Sequence, residues 1–148
     1  MTGVEPRWVN ITRYLDASPS RVHRAWSDPD ELTSWFSRGV EGSLTVGTRS
    51  ILTWHDRRIP LDVLESDPPS RFRFRWTWLP DDSYPTEVTV DLSPHGYGSQ
   101  VTLRDGPFDL TVEGVLDAYA EALEGWGDAL GNLRSVVDYS NDLRRSRR

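Results

Sequence analysis

The chain has 148 residues, of which 36% are hydrophobic and 27% are charged, and these values are typical of one compact domain. Its formal net charge is -6 and every basic residue is Arg, which argues against a general nucleic-acid-binding protein. Without Cys the chain forms neither disulfides nor thiolate metal sites. No segment approaches the ~18 apolar residues of a membrane span, and no secretory signal is recognisable, so we expect a cytoplasmic protein without membrane insertion.

The first elements predicted are one strand and two short helices. Arg7 to Leu15 alternates with the period of two that is typical of a strand. Ser18-Pro19 is an N-cap followed by a first-turn proline, and it predicts a short helix carrying Val22, Ala25 and Trp26. Asp28-Pro29 repeats this signal and predicts a second short helix that ends by Gly39.

The middle of the chain predicts an antiparallel meander. The predicted strands are Ser50 to His55, Ile59 to Glu65, Arg71 to Leu79, Thr86 to Leu92 and Gln100 to Arg104, separated by turn residues. Strict alternation in RFRFRWTW places Phe72, Phe74, Trp76 and Trp78 on one face and the Arg side chains on the other. We expect that Arg row to pair with Glu87 and Asp91 on the next strand.

A long helix is predicted from Val112 to Asp138. Its apolar stripe at helical spacing consists of Val112, Leu116, Tyr119, Leu123, Trp126, Leu130, Leu133 and Val137. Gly125, Gly127 and Gly131 lie inside this pattern, and each costs about 1 kcal/mol relative to Ala in a helix. We therefore expect either a close approach of another element or a bend at these glycines.

Three motifs in this order resemble the activator-of-Hsp90-ATPase-homologue-like branch of the SRPBCC superfamily. They are Ala17-Ser18-Pro19 with Ala25-Trp26-Ser27-Asp28-Pro29 and Leu32 to Phe36, then Leu64-Glu65 with Asp67 to Phe72, and finally Gly125-Trp126 with Leu130 and Leu133. The resemblance implies an α+β helix-grip fold, like that of START-related lipid carriers and birch-pollen-type allergens. In it a curved antiparallel sheet surrounds a long C-terminal helix. We expect a single START-like domain over residues 1–143, followed by a basic, disordered tail over residues 144–148.

The resemblance also implies a cavity between the sheet and the long helix that holds a hydrophobic or aromatic small molecule. The aromatic excess, with 7 Trp, agrees with a group of side chains that bind such a ligand. Any one of these aromatics can equally serve as plain core. The predicted ligand-binding residues are Trp35, Phe36, Trp54, Phe72, Phe74, Trp76, Trp78, Tyr119, Leu123, Trp126 and Leu130. No metal site is predicted, because no His pair has ligand spacing. No cofactor is predicted, since the chain has no phosphate loop and its Gly96-Tyr97-Gly98 segment precedes a strand and not the helix that a dinucleotide site requires.

Few residues are candidates for catalysis. His55 lies next to Asp56, where a carboxylate can orient an imidazole as a general base, and with Tyr119 it is a weak catalytic candidate. His23 is expected to be exposed, and His95 is expected in a turn. Asp105, Asp109 and Glu113 are interpreted as the acidic residues that favour the start of a helix.

Three classes of function remain open. The first is a non-enzymatic protein, monomeric or weakly dimeric, that binds or sequesters a bulky, polycyclic metabolite. Within the branch some bacterial members resemble self-resistance proteins of enediyne antibiotic pathways, in which a diradical attacks a glycine of the protein; Gly114 and Gly125 are the candidates here. The second is a polyketide cyclase or dehydratase using His55 and Tyr119. The third, a chaperone ATPase regulator, is implied only by the name of the branch.

Overall fold

The computed structural model describes residues 5–79 and 81–144, and the elements follow the predicted order. They are β1 Arg7–Leu15, α1 Pro19–Ser27, α2 Pro29–Thr33, β2 Gly39–Glu41, β3 Arg49–Thr53, β4 Arg58–Asp67, β5 Arg71–Trp78, β6 Tyr84–His95, β7 Gly98–Phe108 and α3 Val115–Tyr139. The strands form one antiparallel sheet in the order β1-β7-β6-β5-β4-β3-β2. The predicted α+β helix-grip fold is confirmed. Within the described part of the chain, no helix is long and apolar enough to cross a membrane.

The two short helices begin where the sequence predicts. The Ser18 hydroxyl accepts a hydrogen bond from the Arg21 amide at 3.2 Å, and the Asp28 carboxylate accepts from the amides of Asp30 and Glu31. A proline occupies the first turn of each helix. The second helix ends at Thr33, and the 3-residue strand β2 that follows was not predicted because its residues are only partly buried and too few to show alternation.

The two faces of β5 divide as predicted. Its inward side chains Phe72, Phe74, Trp76 and Trp78 are all buried, with at most 8% of their surface exposed. On the outer face Arg71 pairs with Asp91 at 2.7 Å, and Arg73 pairs with Glu87 at 2.8 Å. These pairs are half-exposed, so they contribute a few tenths of a kcal/mol each and help to fix the strand register.

The predicted apolar stripe of α3 is correct only in its C-terminal half. Trp126, Leu130 and Leu133 are buried, but Leu116 and Leu123 are 59% and 43% exposed. The buried face of the first half is instead formed by Val115, Ala118 and Ala122. The aromatic side chains of the sheet take up the space here, so small residues face them, and a pattern based on bulky residues alone gives the wrong face.

A Cβ atom added at Gly125, Gly127 or Gly131 would have no atom within 4 Å, so a close approach of another element does not explain these glycines, and a bend of α3 stays a prediction.

The expected exposure of His23 is wrong. His23 is 3% exposed rather than solvated, and its Nε2 lies 3.1 Å from the Arg71 carbonyl oxygen. Burial lowers the pKa of His23. His23 shares the buried face of α1 with Val22, Ala25 and Trp26, so this face is wider than the apolar residues alone indicate.

Candidate functional site

A cavity of about 400 Å³ opens between one end of the sheet, the segment after α2 and the middle of α3. Strands β4 and β5 and the segment between β3 and β4 form its sheet side, and α3 forms its helix side. The lining side chains are Trp35, Phe36, Trp54, Asp56, Arg57, Ile59, Trp76, Thr77, Trp78, Glu121, Ala122, Gly125, Trp126, Asp128, Ala129, Asn132, Leu143 and Arg144. Its volume lies in the lower part of the range typical of small-molecule sites, about 300 to 1,000 Å³.

Aromatic rings form the wall of this cavity. The Phe36 ring stacks on Trp126 with centroids 5.2 Å apart and planes 13° apart, and Trp54 meets Phe36 edge to face at 5.3 Å. Trp76 lies 5.2 Å from Trp126 at an angle of 35°. Because each ring is fixed by another ring, the wall is a preformed aromatic surface on which a flat or apolar ligand can pack.

The structure brings together about half of the predicted ligand-binding residues. Those that line the cavity are Trp35, Phe36, Trp54, Trp76, Trp78 and Trp126. Phe72, Phe74 and Leu130 belong to the filled core. Tyr119 packs against Phe108 at 5.4 Å, and Leu123 is exposed. The difference arises because α1 inserts Trp26 beside Phe74, with ring centroids 6.4 Å apart, and so fills that part of the sheet's inner face.

Charged side chains surround the cavity mouth. Asp56 and Arg57 lie between β3 and β4, and Glu121 and Asp128 lie on α3. Arg57 Nη1 approaches Glu121 Oε1 to 3.9 Å, so this ion pair joins the sheet side of the mouth to the helix side. The aromatic wall thus opens to solvent through a polar rim, the arrangement expected for a ligand with an apolar body and a polar end.

The C-terminal segment closes the other end of the cavity. The Arg144 guanidinium donates to the carbonyl oxygens of Thr33, Phe36 and Ser37 and to the Asp142 carboxylate. The same pairing lowers the pKa of Asp142 to about 2. Arg144 was predicted to begin a disordered tail, and this is corrected for that residue: its donors satisfy buried carbonyls. Residues 145–148 lie outside the described part of the chain.

The predicted catalytic candidates do not meet in the cavity. His55 is exposed, and neither His55 nor Tyr119 lines the cavity wall. His95, expected in a turn, is instead the last residue of strand β6 and pairs with Gly98, and the turn follows it at Gly96. Of the two candidate glycines, Gly125 lines the cavity, whereas Gly114 caps α3 with φ = 86° and lies beside Leu79. Among residues 5–79 and 81–144, no group of three His, Asp or Glu side chains is placed to hold a metal ion.

Asp105 is a buried polar residue that was not predicted from the sequence to lie in the core. It is an inward residue of β7, 0% exposed, and not part of an acidic helix start. Its Oδ2 accepts a hydrogen bond from the Trp126 indole N–H at 2.9 Å, and burial raises its pKa to about 6. Asp105 continues the alternation of Val101 and Leu103, and extending the predicted strand past Arg104 would have revealed its position.

Comparison with known proteins agrees with this architecture. The family model described as "Activator of Hsp90 ATPase homolog 1-like protein" matches residues 16–138. No curated protein sequence matches the chain.

Several solved structures share the fold. CalU16 from Micromonospora echinospora is 25% identical with a TM-score of 0.71, covering 95% of this chain and 80% of its own. The Aha1 dimer from Colwellia psychrerythraea is 17% identical with a TM-score of 0.80, covering 91% of this chain and 98% of its own. DynU16, from the dynemicin biosynthetic locus, is 22% identical with a TM-score of 0.76, and the match covers 90% of this chain but only 48% of DynU16.

Proposed function

The chain belongs to the activator of Hsp90 ATPase homolog 1-like family. We propose that it binds a bulky hydrophobic small molecule, aromatic or polycyclic, without transforming it. The site is the cavity between the sheet and α3. The single observation that carries the proposal is an open cavity of about 400 Å³ whose walls are ordered aromatic rings. Protein interiors are packed to the density of organic crystals, so aromatic rings that serve only the core are expected to leave no open space between them. The open space between these rings therefore favours a binding role.

The contrast between the two halves of the sheet's inner face supports this proposal. Around Phe72 and Phe74 the space is filled by Trp26, Leu44, Leu52 and Leu61, while on the same face of the same strand Trp76 and Trp78 border open volume. The opening is therefore local. The cavity presents ring faces and one polar rim, which favours binding a ligand over transforming it, and His55 and Tyr119 lie elsewhere.

Gly125 offers a direct test, because its backbone borders the cavity and a Cβ there would meet no atom within 4 Å. We expect Gly125→Leu to fill part of the cavity and weaken binding about tenfold or more, since the new side chain takes up the volume of the ligand. Gly131→Leu is the matched control: it makes the same change on α3, at an exposed position that does not line the cavity.

The measurement is quenching of tryptophan fluorescence by a panel of neutral probes, from naphthalenemethanol to larger anthraquinones. Saturable binding to the wild type and to Gly131→Leu, but not to Gly125→Leu, is the expected result. The proposal is wrong if no probe quenches the wild type, or if both leucine variants bind as it does.

A second candidate, self-sacrifice resistance to an enediyne antibiotic, is favoured by the position of Gly125 in the cavity wall. The related structure DynU16 comes from the dynemicin biosynthetic locus. The test is the intact mass of the protein before and after exposure to an activated enediyne. Cleavage at Gly125 would support this function, whereas an intact chain with saturable quenching would leave simple binding.

A further inference from the structure

Asp105 is a buried carboxylate in a part of the core made of aromatic rings. It lies opposite Val9 on β1 and Val88 on β6 in the strand register. Its side chain is fully covered, and the groups that face it are the Trp76 and Trp126 indoles from β5 and α3 and the Thr86 hydroxyl from β6. None of these groups titrates, and no charged partner contributes to its environment. An ionised carboxylate in such a place is costly unless N–H or O–H donors face it.

Indole N–H groups converge on this point. Trp126 Nε1 donates to Oδ2 at 2.9 Å, and Trp78 Nε1 donates to the Thr86 hydroxyl at 2.9 Å. The Trp76 N–H also faces the carboxyl and lowers its pKa, although it does not reach good hydrogen-bond geometry. Among the described residues, Trp76 Nε1 and Asp105 Oδ1 have no hydrogen-bond partner.

The same three tryptophans form part of the cavity wall. Trp76, Trp78 and Trp126 line the cavity, but Asp105 does not. An indole N–H lies in the plane of its ring, so an acceptor that fixes the direction of the N–H restricts the ring to orientations whose plane contains that direction. For Trp126 the stacked Phe36 ring restricts the remaining rotation. A charged acceptor fixes it more firmly than a neutral one. The carboxylate behind the wall thus controls the surface that a ligand meets.

We propose that Asp105 is a positioning residue of the ligand cavity: its buried carboxylate holds the Trp126 ring, through the hydrogen bond from the indole N–H, in the orientation that binds the ligand. The proposal rests on the binding function proposed above, and Asp105 itself does not touch the ligand. Protonation leaves Asp105 a weaker acceptor, so the Trp126 ring is held less firmly and affinity falls. Because the pKa of Asp105 is raised to about 6, this change falls within an accessible pH range.

The experiment measures the dissociation constant of naphthalenemethanol, which is neutral at every pH used, for wild type, Asp105→Asn and Asp91→Asn at pH about 5 and about 8. We expect the wild type to bind about threefold to tenfold more tightly at the higher pH, the size of one charge-assisted hydrogen bond. Asp105→Asn should bind weakly and equally at both. Asp91→Asn removes the same charge from the outer face, where Asp91 pairs with Arg71, and should behave as wild type.

Histidine side chains require their own controls. His55→Gln and His23→Gln are expected to keep the pH dependence of the wild type. If one of these histidine variants loses the pH dependence of binding while Asp105→Asn retains it, the histidine is responsible and the proposal is wrong. An Asp105→Asn protein with wild-type affinity and pH profile likewise overturns it.

One further variant and one further measurement complete the test. Trp126→Phe removes the N–H but keeps a ring, so it should also lose the pH dependence, and it serves if Asp105→Asn fails to fold. If the wild type binds no probe, the binding function fails, but the positioning role is still measured: the emission spectrum of the free protein should shift with pH in wild type and not in Trp126→Phe. The absence of that shift in wild type would contradict it.

Discussion

At the scale of single residues, side chains on regularly alternating strands were predictable and Asp105 was not. Phe72 to Trp78 were assigned to the correct face because alternation dictates it. Asp105 was assigned to a helix start because an acidic residue before a helix is common. Its burial depends on β7 running on to Phe108 and on Trp126 arriving from α3, 21 residues away in sequence. The alternation of Val101 and Leu103 indicates the inward face that Asp105 shares, but the contact with Trp126 leaves no local signature.

Asp105 predicts a pH dependence of stability. Its pKa is raised from 3.8 to about 6, so the folded protein holds this proton more tightly than the unfolded chain does. Its contribution to stability is fully present below pH ~4 and is lost as the pH rises through 6, a change of about 3 kcal/mol. We expect Asp105→Asn to gain up to this amount relative to wild type between pH ~4.5 and ~7.5, measured by urea unfolding.

The difference between the two proteins is the quantity to measure. The lowered pKa of His23 acts in the opposite direction: its contribution to stability is present at pH values above the ordinary histidine pKa and is lost as the pH falls. This contribution is the same in both proteins, so it cancels in the difference. A difference that does not change with pH would contradict the prediction.

At the scale of elements, the sequence predicted helix α3 but not the hydrogen bonds that connect its C-terminal half to the rest of the protein. Bulky residues gave the position of the helix, while its alanines decided which face packs on the sheet. Asn132 is 5% exposed on α3, and its side chain donates to the Trp35 carbonyl at 2.8 Å and accepts from the Leu143 amide at 2.7 Å. One amide group therefore joins the helix, the cavity wall and the C-terminal segment. A polar residue in a helix does not disclose such partners.

Two neighbouring substitutions on α3 should change stability in opposite directions. Asn132→Ala removes the hydrogen bond to the buried Trp35 carbonyl and the hydrogen bond from the Leu143 amide, and we expect it to lower the free energy of unfolding by about 2 to 4 kcal/mol. Gly131→Ala places a better helix former at an exposed position with open space, and it should raise that free energy by about 0.5 to 1 kcal/mol. Urea unfolding of both variants measures this, and equal effects would contradict the role given to Asn132.

At the scale of the whole molecule, family and architecture were predictable, while the extent of the cavity was not. Local sequence signals predict the order of capped short helices, alternating strands and a long helix. Whether the sheet's inner face is filled depends on α1, which covers Phe74 and leaves Trp76 bordering open space. Those two residues occupy equivalent positions on one strand, so periodicity cannot distinguish them.

The charge around the cavity mouth predicts a preference among ligands. The charged residues that line the cavity are three acidic ones, Asp56, Glu121 and Asp128, and two basic ones, Arg57 and Arg144. The Arg144 guanidinium is hydrogen-bonded to three carbonyl oxygens and paired with Asp142. We expect naphthylmethylammonium to bind about twofold to fivefold more tightly than naphthoate, because exposed charges contribute up to about 1 kcal/mol. Titrations at low and high salt measure this, and the preference should shrink with added salt. Tighter binding of naphthoate would contradict it.

The crowding of indoles has an optical consequence. Trp26 lies 4.7 Å from Trp35 and 5.9 Å from Trp126, and Trp76 lies 5.2 Å from Trp126 and 5.4 Å from Trp78. At such separations the electronic transitions couple, so these five chromophores absorb and rotate light as one assembly. Trp8 stands apart, under the Arg104 guanidinium. The folded protein therefore carries an exciton couplet in its circular dichroism, which reports the relative angles of the rings that form the cavity wall.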